Sequence, residues 1–520
     1  MKKLLIALVL VSAINISPQS VIDKKVNEEN LKATLEFLSS DVLEGRETAT
    51  NAEKVSALFL ATTLKKYGIE PFGDDGTYFQ KFDVIVEKFE TSSKLVITNS
   101  KGSVIKEFLP AEDFGKFSRN YPDPEYSIQN TNLVFAGYGI TAPEYKYDDY
   151  KDINVKGKTV VLFMDEPYNN DETYFDGKKK TKYSEPEYKL ENAASKGALG
   201  VIIIANPEYY AYWNMFKKYT MSESVSLYDK EKSAHKLIPI ITLSKPATEA
   251  LFGNEEFTLA QLAEYKKSGK SPSPFELDKK LDYKLAVFSK IKKAANVIGV
   301  IKGKDEKLAK EFVVLSAHYD HIGTDSEGIV NNGADDDGSG TVSILEAGRV
   351  LSLKKDNNRS ILIVFHTGEE KGLLGSGYLT EHSDFTKDII ADINMDMVGR
   401  EGEDSIHCLG ADKLSTRFAK LVENVNEKTV KMVLDYKYND PNDPNRFYYR
   451  SDHYNYAKKG IPIVFFFDDM KIDYHQPTDD IEKINFKKLG KITTLASELA
   501  LEAANVNERF PIDIMEQGVK

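Results

Sequence analysis

Five separated segments in the C-terminal half of the chain carry side chains that commonly bind metal ions. In chain order they contribute His318, Asp336, the pair Glu369–Glu370, Asp396 and His475. Imidazole and carboxylate groups suit zinc, and a set of this size can hold two ions. A carboxylate beside the ligands can also serve as the base that takes a proton from a water molecule. These residue types therefore predict a site for metal-assisted hydrolysis.

Short apolar runs precede most of these side chains. The runs are EFVVLSA, ILIVFH, DIIADINM and IPIVFFF, and they are rich in β-branched and aromatic residues. This pattern is typical of strands buried on both faces of a parallel sheet. Ligand sites in open α/β sheets lie outside the carboxyl ends of the strands, so residues remote in sequence are expected to converge there.

The acidic turn Asp335–Asp337 and the carboxylate Asp396 have different surroundings. The turn leads into the predicted helix TVSILEAGRVLSL, whose start Ser339 or one of the aspartates can cap. Asp396 is flanked by methionine and valine in NMDMVGR, so it is expected to be buried and to need a cation or hydrogen-bond donors. Apart from Asp396, these residues taken singly also fit ordinary turns or strand ends, whereas their shared order and position favour one metal site.

At these residues the sequence resembles the M28 zinc exopeptidases, a family that includes aminopeptidases with an inserted protease-associated (PA) domain. The resemblance covers nearly the whole mature chain. It includes FLSSDVLEGRETATNAEKVSALFLATTLKKYGIEP near the N-terminus and SDHYNYAKKGIP before the last strand. It implies an α/β fold with a phosphorylase/hydrolase-like mixed sheet flanked by helices, the zinc exopeptidase fold, and an inserted, mainly β PA domain.

The resemblance also implies a role for each site residue. The implied ligands are His318 and Asp396 for one ion, Glu370 and His475 for the other, and Asp336 as the bridge between them. Glu369 would be the general base, and Tyr474 would help to stabilise the oxyanion. Asp320 would orient the imidazole of His318 without binding the metal itself. Asp335 and Asp337 would be neighbours of the bridge rather than ligands.

These roles predict a metallo-aminopeptidase with two divalent metal ions. Zinc is the expected metal, although manganese or cobalt also suits nitrogen and oxygen ligands. The two ions would lower the pKa of a shared water, and Glu369 would take its proton. The expected reaction is hydrolysis of the N-terminal peptide bond of peptides.

Three other activities remain open at this point. A carboxypeptidase would need a cation for the terminal carboxylate, and Arg400, Arg446 and Arg450 lie in suitable loops. A glutaminyl cyclase on the same fold would use one metal. A non-catalytic, receptor-like protein would be expected to lose ligands or the base, and none of these residues is missing.

The resemblance divides the chain into a split peptidase domain, residues 21–126 and 249–520, and a PA domain, residues 127–248. The apolar segments TNLVFAGYGI, KTVVLFMDEP, VIIIANP and LIPIITLS, with the helical KLENAASKGALG, form a βαβ-like series in the predicted insert.

The composition and the N-terminal segment limit which partners and which location can be expected for the protein. The net charge of −12 gives no electrostatic reason to expect nucleic acid as a partner. Two lysines followed by LLIALVLVSAI predict a signal peptide within residues 1–20. The expected product is a secreted or periplasmic bacterial protein without a stable membrane anchor after cleavage. The single cysteine, Cys408, excludes an internal disulfide.

Overall fold

The computed structural model describes residues 24–514, except 117–124, 169–170, 172, 178–179, 231–237, 326, 401 and 442. The predicted signal peptide, residues 1–20, lies outside these residues. The chain forms two compact units. The first takes the described residues up to Gln80, then Asn296–Thr367 and the chain from Ser376 onward; the second takes Lys81–Ala295 and Gly368–Gly375.

The strands are numbered along the chain. They are β1 (Glu70–Pro71), β2 (Phe79–Phe89), β3 (Lys94–Asn99), β4 (Val104–Phe108), β5 (Phe114–Lys116), β6 (Glu125–Phe135), β7 (Thr141–Ala142), β8 (Tyr147–Asp148), β9 (Thr159–Phe163), β10 (Gly200–Ile204), β11 (Ser224–Leu227), β12 (Ile240–Leu243), β13 (Phe275–Ile301), β14 (Phe312–His318), β15 (Ser360–His366), β16 (Ile389–Met395), β17 (Ser405–Leu409), β18 (Val433–Asp435) and β19 (Ile463–Phe467).

The α-helices are numbered in the same way. They are α1 (Glu28–Leu38), α2 (Asn51–Lys66), α3 (Pro186–Ser195), α4 (Pro207–Ala211), α5 (Trp213–Met221), α6 (Lys245–Phe252), α7 (Leu259–Lys267), α8 (Gly340–Lys354), α9 (Leu374–His382), α10 (Ala411–Leu414), α11 (Thr416–Lys428), α12 (His453–Ala457) and α13 (Phe486–Ala504). Among the residues that the structure describes, no helix combines the length and apolar composition needed to cross a membrane.

The first unit is built on a mixed sheet with the strand order β1–β13–β15–β14–β16–β19–β17–β18, to which β13 contributes its C-terminal end. The four apolar runs predicted as parallel strands are β15, β14, β16 and β19. They are parallel neighbours in this sheet, and every residue in them is buried. The predicted mixed sheet is therefore confirmed.

Helices cover both faces of this sheet. Alternate residues of β14 point to opposite faces, so Val313 and Leu315 join one apolar cluster and Val314 joins another. Helices α1, α2, α8 and α13 contribute to the first cluster, and α9, α10 and α12 contribute to the second. This arrangement explains why the strands read as continuous apolar runs.

The second unit contains its own sheet, with the order β4–β3–β13–β6–β9–β10–β12–β5. Strands β6, β9, β10 and β12 are parallel, and α3 joins β9 to β10 along the chain. The predicted PA insert, residues 127–248, lies wholly within this unit. The unit extends further on both sides because Lys94–Asn99 pair with Lys279–Lys284 of β13.

Candidate metal centre

Two neighbouring parallel strands carry the first pair of candidate metal-binding side chains. His318 is the last residue of β14, and Asp396 directly follows β16. His318 Nε2 lies 3.4 Å from Asp336 Oδ1 and 3.5 Å from Asp396 Oδ1. All three residues are buried, and their ligand atoms are close enough together to bind one ion. One imidazole and two carboxylates form a donor set that suits zinc.

Asp336 lies between two imidazoles. Its Oδ1 atom faces His318, whereas its Oδ2 atom lies 3.3 Å from His475 Nε2. His475 belongs to the loop after β19, and about a third of its side chain is exposed. Each oxygen of the carboxylate therefore faces a different histidine, which is the arrangement that a bridge between two metal ions requires.

Two carboxylate oxygens in this cluster lack conventional partners. Within the described part of the chain, no donor makes a well-aligned hydrogen bond to Asp336 Oδ2 or to Asp396 Oδ1, although both atoms are buried. A buried anionic oxygen without a donor is costly, and a bound cation removes that cost. The residues present therefore fit the implied divalent metal.

His321 is a residue to which the sequence analysis gave no role. It is fully buried, and its Nδ1 atom lies 3.9 Å from Asp336 Oδ2. Its ring centroid is 5.8 Å from that of His475. The signal available in the sequence was its place as the second histidine of HYDH, residues 318–321.

Asp320 lies beside His318, as expected, but its closest contact is made by the backbone. His318 Nδ1 is 3.1 Å from the carbonyl oxygen of Asp320 and 3.8 Å from its Oδ1 atom. The other carboxylate oxygen, Oδ2, accepts a hydrogen bond of 2.8 Å from the hydroxyl of Thr48. The carbonyl is thus the nearer group to fix the orientation of the imidazole.

The backbone of the acidic turn is held by Asp479. The amides of Asp335 and Asp336 each donate a 3.0 Å hydrogen bond to the Asp479 carboxylate. Asp337 accepts from the amides of His318, at 3.2 Å, and Gly340, at 2.8 Å. Asp337 therefore satisfies the start of α8 and connects it to the end of β14, which is a structural role next to Asp336.

Arg400 belongs to the same hydrogen-bond network as Asp335 and Asp479. Its Nε atom donates to Asp335 at 3.1 Å, and its Nη2 atom donates to Asp473 at 2.9 Å and Asp479 at 2.5 Å. Burial raises the pKa of Asp335 to about 7 and the neighbouring Asp479 adds to this rise, while Arg400 opposes it. Arg400 is 5% exposed, so its guanidinium does not face solvent.

Arg46 connects the loop that follows β14 to the loop that precedes the acidic turn. Its buried guanidinium donates to the carbonyl oxygens of Tyr319, Asn332 and Gly333 at 2.9, 2.7 and 2.9 Å. The preceding Gly45 has a φ of 67°, and a Cβ atom there would lie 2.5 Å from two backbone oxygens. The turn Glu44–Arg46 between α1 and α2 therefore has a defined physical role.

Glu369 and Glu370 lie in the loop Gly368–Gly375, which groups with the second unit. Both are half-buried. The amides of Gly372 and Leu373 donate to the carbonyl of Glu369 at 2.8 and 2.9 Å, so the pair sits in a tight turn. This loop follows β15, whose last residue His366 pairs in register with His318.

Tyr474 stacks on His475, with 3.8 Å between the ring centroids. Its hydroxyl accepts a long hydrogen bond of 3.5 Å from Nη2 of the exposed Arg450. Arg446 is also exposed, and its guanidinium lies over the ring of Tyr449 at 4.8 Å. Arg450 thus contacts Tyr474, the residue that the resemblance places in the site.

The chain is similar to known proteins at the level of family, sequence and fold. Residues 296–500 match the family model described as peptidase family M28. The chain is 26% identical over 487 residues to aminopeptidase YwaD of Bacillus subtilis, which covers 92% of this chain and 85% of that relative. It is 30% identical over 227 residues to a probable leucine aminopeptidase of Arthroderma otae, which covers 41% of this chain and 59% of the relative.

A solved structure shares the fold of almost the whole chain. It is an aminopeptidase from Aneurinibacillus sp. strain AM-1, with a TM-score of 0.57 and 20% sequence identity. The match covers 95% of this chain and 97% of that protein. The α/β architecture described above is therefore that of a solved aminopeptidase.

Proposed function

We propose that this protein, whose residues 296–500 match the model of peptidase family M28, is a secreted metallo-aminopeptidase with two divalent metal ions, most suitably zinc. The observation that carries the proposal is Asp336, whose two carboxylate oxygens face His318 and His475 at 3.4 and 3.3 Å. The similarity to aminopeptidase YwaD, which extends over 85% of that relative, supports the reaction class.

The proposed ligands divide into two sets around Asp336. His318 and Asp396 would hold one ion, Glu370 and His475 would hold the other, and Asp336 would bind both. When bound, the two cations would polarise the scissile carbonyl and lower the pKa of the attacking water. The buried oxygens of Asp336 and Asp396 without well-aligned donors, among the residues described, support this ligand set.

Glu369 is the proposed general base. It is three residues beyond His366, which pairs in register with His318, and three residues of chain span at most ~11 Å. The chain itself therefore keeps Glu369 near the carboxyl ends of β14 and β15. Its carboxylate would take the proton of the attacking water and return it to the leaving amine.

Tyr474 is the proposed partner of the carbonyl oxygen that gains negative charge. Its hydroxyl would donate a hydrogen bond to that oxygen, as preorganised donors do in other hydrolases. Its ring is held by stacking on His475, and Arg450 reaches its hydroxyl at 3.5 Å.

The direction of cleavage is proposed from the charges around the site. Carboxylates dominate the set of ligands and base, and a free ammonium at the substrate N-terminus finds a favourable field there. A carboxypeptidase would need a cation for the terminal carboxylate, and Arg400 does not supply it because it is buried and bound to Asp335, Asp473 and Asp479. The exposed Arg450 lies at Tyr474, so the preference for cleavage at the N-terminus rests on the carboxylates.

A peptide pool with free or acetylated N-termini tests this proposal. The metal-loaded protein is expected to remove N-terminal residues one at a time from free peptides, and acetylation or a chelator is expected to stop the reaction. Mass spectrometry of the products gives the answer. C-terminal trimming of acetylated peptides would instead indicate a carboxypeptidase, and formation of pyroglutamate from N-terminal glutamine would indicate a cyclase.

A further inference from the structure

Glu53 is a buried carboxylate on helix α2 that the proposed reaction does not use. Its side chain is almost completely buried. Its Oε1 atom accepts hydrogen bonds from two hydroxyl groups, that of Tyr319 at 2.8 Å and that of Thr367 at 2.8 Å. Its Oε2 atom accepts a bond of 3.0 Å from the amide of Ala49. One carboxylate oxygen thus joins two hydroxyls that are 48 positions apart in sequence.

The two hydroxyls belong to the ends of adjacent parallel strands. Tyr319 directly follows β14 and lies between His318 and Asp320 in the sequence. Thr367 directly follows β15 and precedes the loop that begins at Gly368 and carries Glu369. The amide of Tyr319 also donates to the carbonyl of His366 at 3.0 Å. Glu53 therefore connects the two strand ends just beyond their last backbone bond.

Burial at position 53 carries a desolvation cost for a carboxyl group. Burial is the main cause that raises the pKa of Glu53 to about 7, and the hydrogen bonds from Thr367 and Tyr319 oppose that rise. An apolar side chain could fill the same space on α2 without this desolvation cost. The carboxyl is therefore better explained by the groups that it orders than by a contribution to stability.

We propose that Glu53 is a positioning residue, which holds the end of β14, with the metal ligand His318, in register with the end of β15, which leads to Glu369. This inference rests on the proposed function, because it assigns Glu53 an effect on the proposed metal site and base. A misplacement of about 1 Å in a catalytic group can cost about 100-fold in rate, so a fixed alignment of the two strand ends matters for turnover.

The matched pair Thr367→Val and Thr367→Ser tests the proposal without removing the buried carboxyl. Valine has the shape of threonine but no hydroxyl, whereas serine keeps the hydroxyl. We expect Thr367→Val to lower kcat about 10-fold with KM changed less than about 2-fold, and Thr367→Ser to stay within about 2-fold of the wild type, in line with outer-shell effects at metal sites. Equal kcat values for the two variants would overturn the proposal.

Co²⁺ binding supplies a readout that does not depend on turnover. Tyr319→Phe removes the hydroxyl next to His318 in sequence, and it is expected to weaken Co²⁺ binding about 10-fold in a titration followed by the visible spectrum. An unchanged affinity and spectrum would contradict the proposed effect on the metal site. If the wild type binds Co²⁺ but hydrolyses no peptide, the proposed function fails, whereas the Co²⁺ result still decides the role of Glu53.

A double-mutant comparison separates positioning from general stability. Because both hydroxyls share one acceptor, adding Thr367→Val to Glu53→Ala is expected to lower kcat no further than Glu53→Ala alone. Losses that simply multiply would show that Thr367 acts independently of Glu53. Glu346→Gln is the control, since Glu346 is a buried carboxylate on α8 that accepts from Asn27, Asn30 and Arg349. Its kcat per metal-loaded molecule is expected to match the wild type.

Discussion

His318 and Asp396 lie at the carboxyl ends of the neighbouring parallel strands β14 and β16, with 3.5 Å between Nε2 and Oδ1. This closeness follows from the strand order, because parallel neighbours end at the same edge of a sheet. Two neighbouring strands therefore position the first pair of proposed ligands, and the loop with Asp336 adds the third.

Replacing Glu369 with glutamine tests the base. The amide has nearly the same shape but cannot accept the proton of water, and Glu369 is not a proposed ligand. The expected loss in kcat is at least ~10²–10⁴ with metal content unchanged. Near-normal turnover in a fully metal-loaded variant would rule out Glu369 as the base.

Asparagine substitutions distinguish the bridge from its neighbour. Asp336→Asn removes the charge between two cations, so metal analysis is expected to show loss at both sites. Asp337→Asn keeps one of the two acceptor oxygens, because Oδ1 accepts from the amide of Gly340 and Oδ2 from the amide of His318. Since this change disturbs geometry but removes no proposed ligand, its metal content is expected to stay higher than that of Asp336→Asn. Equal metal loss in the two variants would mean that the bridge is wrongly assigned.

Two exposed arginines form a matched pair for the mouth of the site. Arg450→Ala removes the donor to the Tyr474 hydroxyl and is expected to lower kcat/KM for an aminoacyl anilide about 10-fold. Arg446→Ala, which removes a contact with Tyr449, is expected to stay within about 2-fold. Equal kcat/KM values for the two variants would contradict the expected effect of Arg450 on Tyr474.

Glu53 also predicts the pH dependence of stability. The pKa of Glu53 is raised to about 7 from 4.5, so the folded state binds more protons than the unfolded state between these values. Its favourable contribution is fully present below about pH 4.5 and is lost as the pH rises through about 7. Relative to Glu53→Gln, the wild type is expected to lose up to ~3 kcal/mol of unfolding free energy over this range. Denaturant unfolding at several pH values measures this difference, and parallel pH profiles for the two proteins would contradict it.

The sequence was sufficient to predict the elements that position the site. Apolar runs identified β14, β15, β16 and β19, because a strand that is buried on both faces has apolar side chains at nearly every position. It was also sufficient to predict that His318, Asp336, Asp396 and His475 approach one another.

Contacts between distant segments were not predictable in the same way. Nothing in the local sequence indicated that Arg46 binds the carbonyls of Asn332 and Gly333, or that Glu53 binds Tyr319 and Thr367. Such contacts depend on how the helices pack on the sheet. For the same reason the second unit extends beyond residues 127–248: the pairing of β3 with β13 joins segments about 180 residues apart.

The contacts of Arg46 have a consequence for the order of assembly. Arg46 donates to carbonyl groups that are 286 and 287 residues further along the chain. Those carbonyl groups lie just before the acidic turn Asp335–Asp337, whereas Arg46 lies far from this turn in the sequence. Contacts across such a separation form late, because a long loop must close first. A fragment that begins at Asn296 would contain the whole region matched to the peptidase family but neither Arg46 nor Glu53. We therefore expect metal uptake to be one of the last events of folding, and to require the N-terminal helices to have docked.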